Sequence, residues 1–174
     1  EYNENGDLAL ITDKGIEIHK AGKTKSTVAI KANKATKLKW DNTGQTVYYF
    51  DQSKEGITSL VAFDQKCNRV YKMNTTDLNN LDIEISTESK IVPAPEANRC
   101  FFYATSKKKG TPTDDSLVEI WEAASPLQYP AQKNLERIPF IPKIYSWEMK
   151  SGKIEKLVSD SLFTIKILPG KQKT

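Results

Sequence analysis

Short strand-like runs of apolar and β-branched residues, in which a hydrophobic period of two dominates, recur along this chain, and turn-forming residues punctuate them at short intervals. A period of two marks strands with one face turned to a core, and a helical period is nearly absent. Thr46-Val47-Tyr48-Tyr49-Phe50 follows Trp40-Asp41-Asn42-Thr43-Gly44, so a tight polar turn feeds a β-branched and aromatic run. Cys100-Phe101-Phe102-Tyr103-Ala104 follows Ala94-Pro95-Glu96-Ala97-Asn98 in the same way, with Val47 mapping onto Phe101 and Tyr49 onto Tyr103 at an offset of 54. An earlier copy is Asn5-Gly6-Asp7 before Leu8-Ala9-Leu10-Ile11, with Gly15-Ile16-Glu17-Ile18 next.

The downstream halves repeat as well. Leu60-Val61-Ala62-Phe63-Asp64 leads through a short turn to Arg69-Val70-Tyr71-Lys72-Met73. Ile144-Tyr145-Ser146-Trp147-Glu148 leads through Ser151-Gly152 to Lys153-Ile154-Glu155-Lys156-Leu157. Phe63 then maps onto Trp147, Val70 onto Ile154 and Met73 onto Leu157, all at an offset of 84. Two units thus match at both ends, and the second is about 30 residues longer in its middle.

Each unit reads as strand, turn, strand and closing hairpin. That is the grammar of a four-stranded propeller blade, which cannot bury its own faces and stacks on its neighbours. The predicted fold class is all-β: antiparallel four-stranded blades of a β-propeller, about three of them in an incomplete arc, with a short helical insertion. The approximate units are 1–35, 36–85 and 86–160, with 161–174 opening a further one. A β-sandwich with coincidental hairpins is the alternative, and three copies of one pattern favour the propeller. The chain opens about mid-blade and stops near Leu168-Pro169-Gly170, so a longer parent protein is expected.

Residues 104–143 interrupt the second full unit. Ser116-Leu117-Val118-Glu119-Ile120-Trp121 reads as a strand, and Pro130 to Ile138 as two helical turns closed by Pro139 and Pro142. A Trp and a Tyr at strand ends serve packing more often than ligand contact, while loops on a rigid scaffold often carry recognition.

Composition narrows the function without naming it. The chain has 174 residues, 38% hydrophobic and 28% charged, below the apolar share of an average globular domain but far from a disordered composition. No stretch approaches the roughly 18 apolar residues that a membrane-crossing helix needs. Glu1-Tyr2-Asn3-Glu4-Asn5 has neither the basic start nor the apolar run of a signal peptide. The net charge is +4, but only Arg69, Arg99 and Arg137 among 26 basic residues are arginine, and lysine is scattered from Lys14 to Lys173. The one short run, Lys107-Lys108-Lys109, precedes a turn-rich acidic stretch and reads as a solvated loop tip. Neither nucleic acid nor a membrane is an expected partner.

Scans for chemistry return little. Cys67 and Cys100 lie in turn-like contexts with no Cys-x-x-Cys and no histidine nearby, so two free thiols are expected, with a disulfide as the alternative. Gly22-Lys23-Thr24 lacks the first glycine of a phosphate-binding loop, since position 17 is Glu. Asp51, Asp114 and Asp115 read as turn acids without calcium-loop spacing. Asn74-Thr75-Thr76 is a formal glycosylation sequon. His19, the single histidine, reads as an exposed strand residue. No cofactor and no metal are predicted.

A family resemblance sharpens the reading. Asp115-Ser116-Leu117-Val118-Glu119-Ile120-Trp121, Pro126-Leu127, Pro130-Ala131-Gln132, Ile144-Tyr145-Ser146-Trp147 and Gly152-Lys153 resemble a blade of bacterial serine peptidases of the prolyl oligopeptidase family, in their N-terminal β-propeller. The family includes dipeptidyl peptidases and acylaminoacyl-peptidases, and the resemblance spans about residues 36–160. It implies a periplasmic or secreted parent in which a C-terminal α/β-hydrolase domain carries a Gly-x-Ser-x-Gly elbow with Asp and His. No such elbow is present here, so no catalytic residue carries over. The resemblance implies that this segment caps the active site and gates or positions peptide substrates, with Trp121, Tyr129, Gln132 and Arg137 as the gating or binding candidates. The alternative is a stand-alone periplasmic binding or scaffold propeller with no hydrolase attached.

Overall fold

The structure, a computed structural model, describes residues 1–25, 28–107 and 142–158. Three antiparallel sheets follow one another along the chain. The first joins β1 (Leu8–Thr12), β2 (Gly15–His19) and β3 (Val28–Lys31), with Tyr2 bridging to Leu8 ahead of β1. The second is a four-stranded meander of β4 (Ala35–Trp40), β5 (Thr46–Gln52), β6 (Thr58–Asp64) and β7 (Arg69–Lys72). A short helix, α1 (Thr75–Asn80), and β8 (Ile83–Glu84) lead to the third sheet. That sheet holds β9 (Ile91–Ala94), β10 (Arg99–Ser106), β11 (Lys143–Glu148) and β12 (Ile154–Lys156), and β8 pairs with the far end of β10.

The sheets stack face to face around two cores. Val47, Tyr49, Val61 and Phe63 of the second sheet meet Ala9, Ile16, Ile18 and Ile30 of the first. Tyr48, Phe50, Leu60 and Ala62, one residue out of phase, meet Cys100, Phe102, Tyr145 and Trp147 of the third. Alternate residues of a strand point to opposite faces, so β5 and β6 carry apolar side chains on both because both are covered. Phe102 and Tyr145 add a stacked ring pair with centroids 5.8 Å apart. Contacts between sheets concentrate where β4 meets β1 and where β9 meets β4 and β5, the arrangement of blades fanned about an axis. The fold is all-β and propeller-like.

The repeat seen in the sequence reappears in the backbone. Met73 N donates to Leu60 O at 2.9 Å, and Leu157 N to Ile144 O at 3.0 Å, the same contact 84 residues on. Met73 is buried against the third sheet, whereas Leu157 is 47% exposed, so the side chains part company where the backbones agree. The turns before β1, β5 and β10 each place one residue at positive φ: Gly6, Gly44 and Asn98.

Several expectations change. Cys100 sits inside β10 and is fully buried, so its context is a strand and not a turn; Cys67 is exposed in the β6–β7 turn, and both thiols are free. Asp51 is no turn acid: it lies within β5 at 5% exposure. His19 is half-buried rather than exposed. Helix α1 stands where the sequence showed only a sequon, capped by the Asn74 side chain, which accepts from Thr76 N. The strand expected at 116–121, the helical turns at 130–138 and the unit opening at 161 lie outside the described residues.

Candidate functional site

One end of the stacked sheets collects the β1–β2 and β5–β6 turns and the two connections between sheets, 32–34 and 73–90. It also collects the ends of β10 and β11 that flank the 108–141 segment. Two clefts open there. The larger, about 730 Å³, lies between the first and second sheets, with Ile16, Ile30 and Ala32 as its apolar floor and Lys14, Lys31 and Lys72 around it. The smaller, about 380 Å³, lies beside the third sheet, lined by Glu88, Ser89, Lys90, Tyr103 and Pro142 among others.

Asp51 organises the larger cleft. Its carboxylate accepts from Asn33 N at 2.8 Å, from Lys34 N at 3.1 Å and from Lys72 Nζ at 3.1 Å. A buried charge is tolerated when several donors surround it, and here they also fix the strap that carries the chain from the first sheet to the second. Burial, aided by the nearby Asp51 charge, pushes the Tyr49 phenol up to about 12, so it stays protonated at neutral pH.

In the smaller cleft, Ser89 Oγ donates to Tyr103 O and accepts from Tyr103 N at 3.1 Å. The hydroxyl therefore imitates a strand partner between β9 and β8, and its proton is committed to a carbonyl. Lys37 Nζ meets Glu88 Oε2 at 2.9 Å, tying the second sheet to the loop that borders this cleft.

Nothing among the described residues assembles hydrolytic chemistry. His19 stands at the opposite end of β2 from the clefts, its Nε2 3.6 Å from Glu17 Oε2, with no bond to a serine or cysteine among the described residues. Burial raises the Cys100 thiol well above its ordinary range, so it is not a nucleophile. No group of three or more His, Cys, Asp or Glu that could hold a metal occurs among the described residues.

Trp121, Tyr129, Gln132 and Arg137 all lie outside the described residues. The residues brought together instead, Lys14, Lys31, Asp51 and Lys72, were scattered in the sequence. Their common feature there is a position at or next to a strand end, and only the sheet topology shows that these are the same end.

No protein-family model matches the chain, and no curated protein matches it in sequence. Among solved structures, TolB from Acinetobacter baumannii is similar over 88% of this chain, with a TM-score of 0.45 and 11% identity. The chain spans 29% of that structure. The propeller-like fold rests on the sheet order and the two cores, and none of these comparisons supports the prolyl oligopeptidase family.

Proposed function

We propose that this chain is a non-catalytic propeller segment that holds and positions peptides for a serine peptidase of the prolyl oligopeptidase family. In this reading it belongs to a periplasmic or secreted parent. It caps the active site of a C-terminal α/β-hydrolase domain and gates which peptides arrive there. The observation that supports it most is the gathering of both clefts at one end of the stacked sheets, the end at which residues 108–141 join β10 to β11. Turns on a rigid β scaffold are free to carry recognition because the cores beneath them hold the fold.

The test has two parts. Fluorescent short peptides are expected to bind the purified chain saturably, without hydrolysis and without labelling of the chain by a fluorophosphonate. Hydrolysis by the chain itself, or no binding at all, contradicts the proposal. In the parent reading frame a Gly-x-Ser-x-Gly followed by Asp and His is expected. A parent with propeller blades alone removes the peptidase half and leaves a binding or scaffold propeller.

A further inference from the structure

Charge in the larger cleft is unevenly spoken for. Asp51 already accepts from three donors, one of them Lys72, and Glu17 lies beside His19. Lys14 and Lys31, by contrast, meet no carboxylate among the described residues, although both border the cleft. Across the lining the three ammonium groups of Lys14, Lys31 and Lys72 stand against the two carboxylates of Glu17 and Asp51, so one positive charge is left over, beside the exposed Ala29 and the half-buried Ala32.

The cleft also follows a strand edge that no described residue pairs with. Ala29, Ile30 and Lys31, three consecutive residues of β3, line it. Among the described residues β3 pairs only with β2, so it is the last strand of its sheet. Such an edge can accept the main chain of an extended peptide as an added strand.

We propose that this cleft binds the C-terminal end of an extended peptide alongside β3. The peptide's free carboxylate sits against the ammonium groups of Lys14 and Lys31, and its last apolar side chain lies against Ala29 and Ala32. Main-chain pairing supplies sequence-tolerant affinity, and the two lysines select for a free carboxyl end. The choice of a peptide as ligand rests on the function proposed above; the selection for a free carboxylate rests on the cleft.

Isothermal titration of the full chain with two peptides of one sequence, one ending in a free acid and the other in an amide, tests this. The acid is expected to bind about tenfold or more tightly than the amide. In the Lys14→Gln/Lys31→Gln double variant the acid is expected to fall to the level of the amide, while Lys66→Gln, a charge removed at the opposite end, changes neither. Both variants alter exposed side chains, and circular dichroism checks that they stay folded. Equal binding of acid and amide by the unaltered chain overturns the carboxylate site and leaves peptide handling standing. Failure of both peptides to bind overturns the two together.

Discussion

Gly15 and Gly56 both hold positive φ, +129° and +83°, yet they differ in what surrounds them. A Cβ on Gly15 would lie 2.0 Å from the Ile30 carbonyl oxygen of β3 and 2.8 Å from the backbone N of Ala32 just beyond it, whereas Gly56 faces open space. Gly15→Ala therefore combines conformational strain with a backbone clash and is expected to cost about 3 kcal/mol or more. Gly56→Ala should cost about 1 kcal/mol, from strain alone. Urea denaturation of the two variants checks the ranking; equal losses would mean that close approach of β2 and β3 does not fix Gly15. Asp7 makes a different kind of prediction. Burial works against its ionisation, but the Lys20 ammonium at 2.7 Å, the Ala21 N–H and the Asn3 amide outweigh burial and hold the carboxyl below its ordinary 3.8. A carboxyl lowered by folding contributes its full stability above that ordinary value and loses it as pH falls through the folded value. Asp7→Asn should therefore lower stability at neutral pH and flatten the decline below about pH 4, as read from thermal melts across pH.

Elements are held in register by small polar devices as much as by apolar pairs. Asn3 Oδ1 accepts from Asn5 N and Asp7 N, and Asp41 Oδ1 accepts from Thr43 N and Gln45 N, so two successive turns are built alike. Ser89 is a third such device, bonded to both the N–H and the C=O of Tyr103. Ser89→Ala leaves the Tyr103 N–H and C=O without their side-chain partner and is expected to cost about 1–3 kcal/mol. Hydrogen exchange should show the Tyr103 amide losing protection ahead of its neighbours; unchanged protection would mean that the strand edge closes without the hydroxyl. Much of this level was legible in the sequence, because Asn-Gly, Thr-Gly and Ala-Asn turns before alternating apolar runs have few other conformations open to them. Helix α1 was not, since six residues give no helical period and its signal is the single cap Asn74. Nor was the irregularity in β4, where register shifts between Thr36 and Lys39 and Lys37 takes φ +53°. Lysine has no intrinsic preference for that conformation, so tertiary packing decides it.

At the scale of the whole molecule, stacking explains both what the sequence revealed and what it hid. The middle sheet is apolar on both faces because it has a neighbour on each side, and the repeat at offset 84 carries that stacking in the sequence. The offset of 54 is one residue out: Val47 pairs with Phe63 as Cys100 pairs with Trp147, so β5 and β10 correspond at an offset of 53. The end that carries the two clefts could not be read so directly. Lys14, Lys31 and Lys72 are apart in sequence; pairing of β2 with β3 brings Lys31 beside the β1–β2 turn that holds Lys14, and the stacking of the second sheet on the first adds Lys72 from the end of β7. The sequence drew notice instead to Trp121, Tyr129, Gln132 and Arg137, in a segment outside the described residues that joins the strands at that same side.

That face is the central claim, and amide shift mapping of the isotope-labelled chain during titration with a free-acid peptide addresses it most directly. Saturable shifts should cluster at residues 12–15, 31–34, 52–57 and 86–90, the turns and connections around the two clefts. Shifts clustered at 20–25, 41–45, 65–68 and 95–98, the turns of the opposite end, or no saturable shift anywhere, would contradict it.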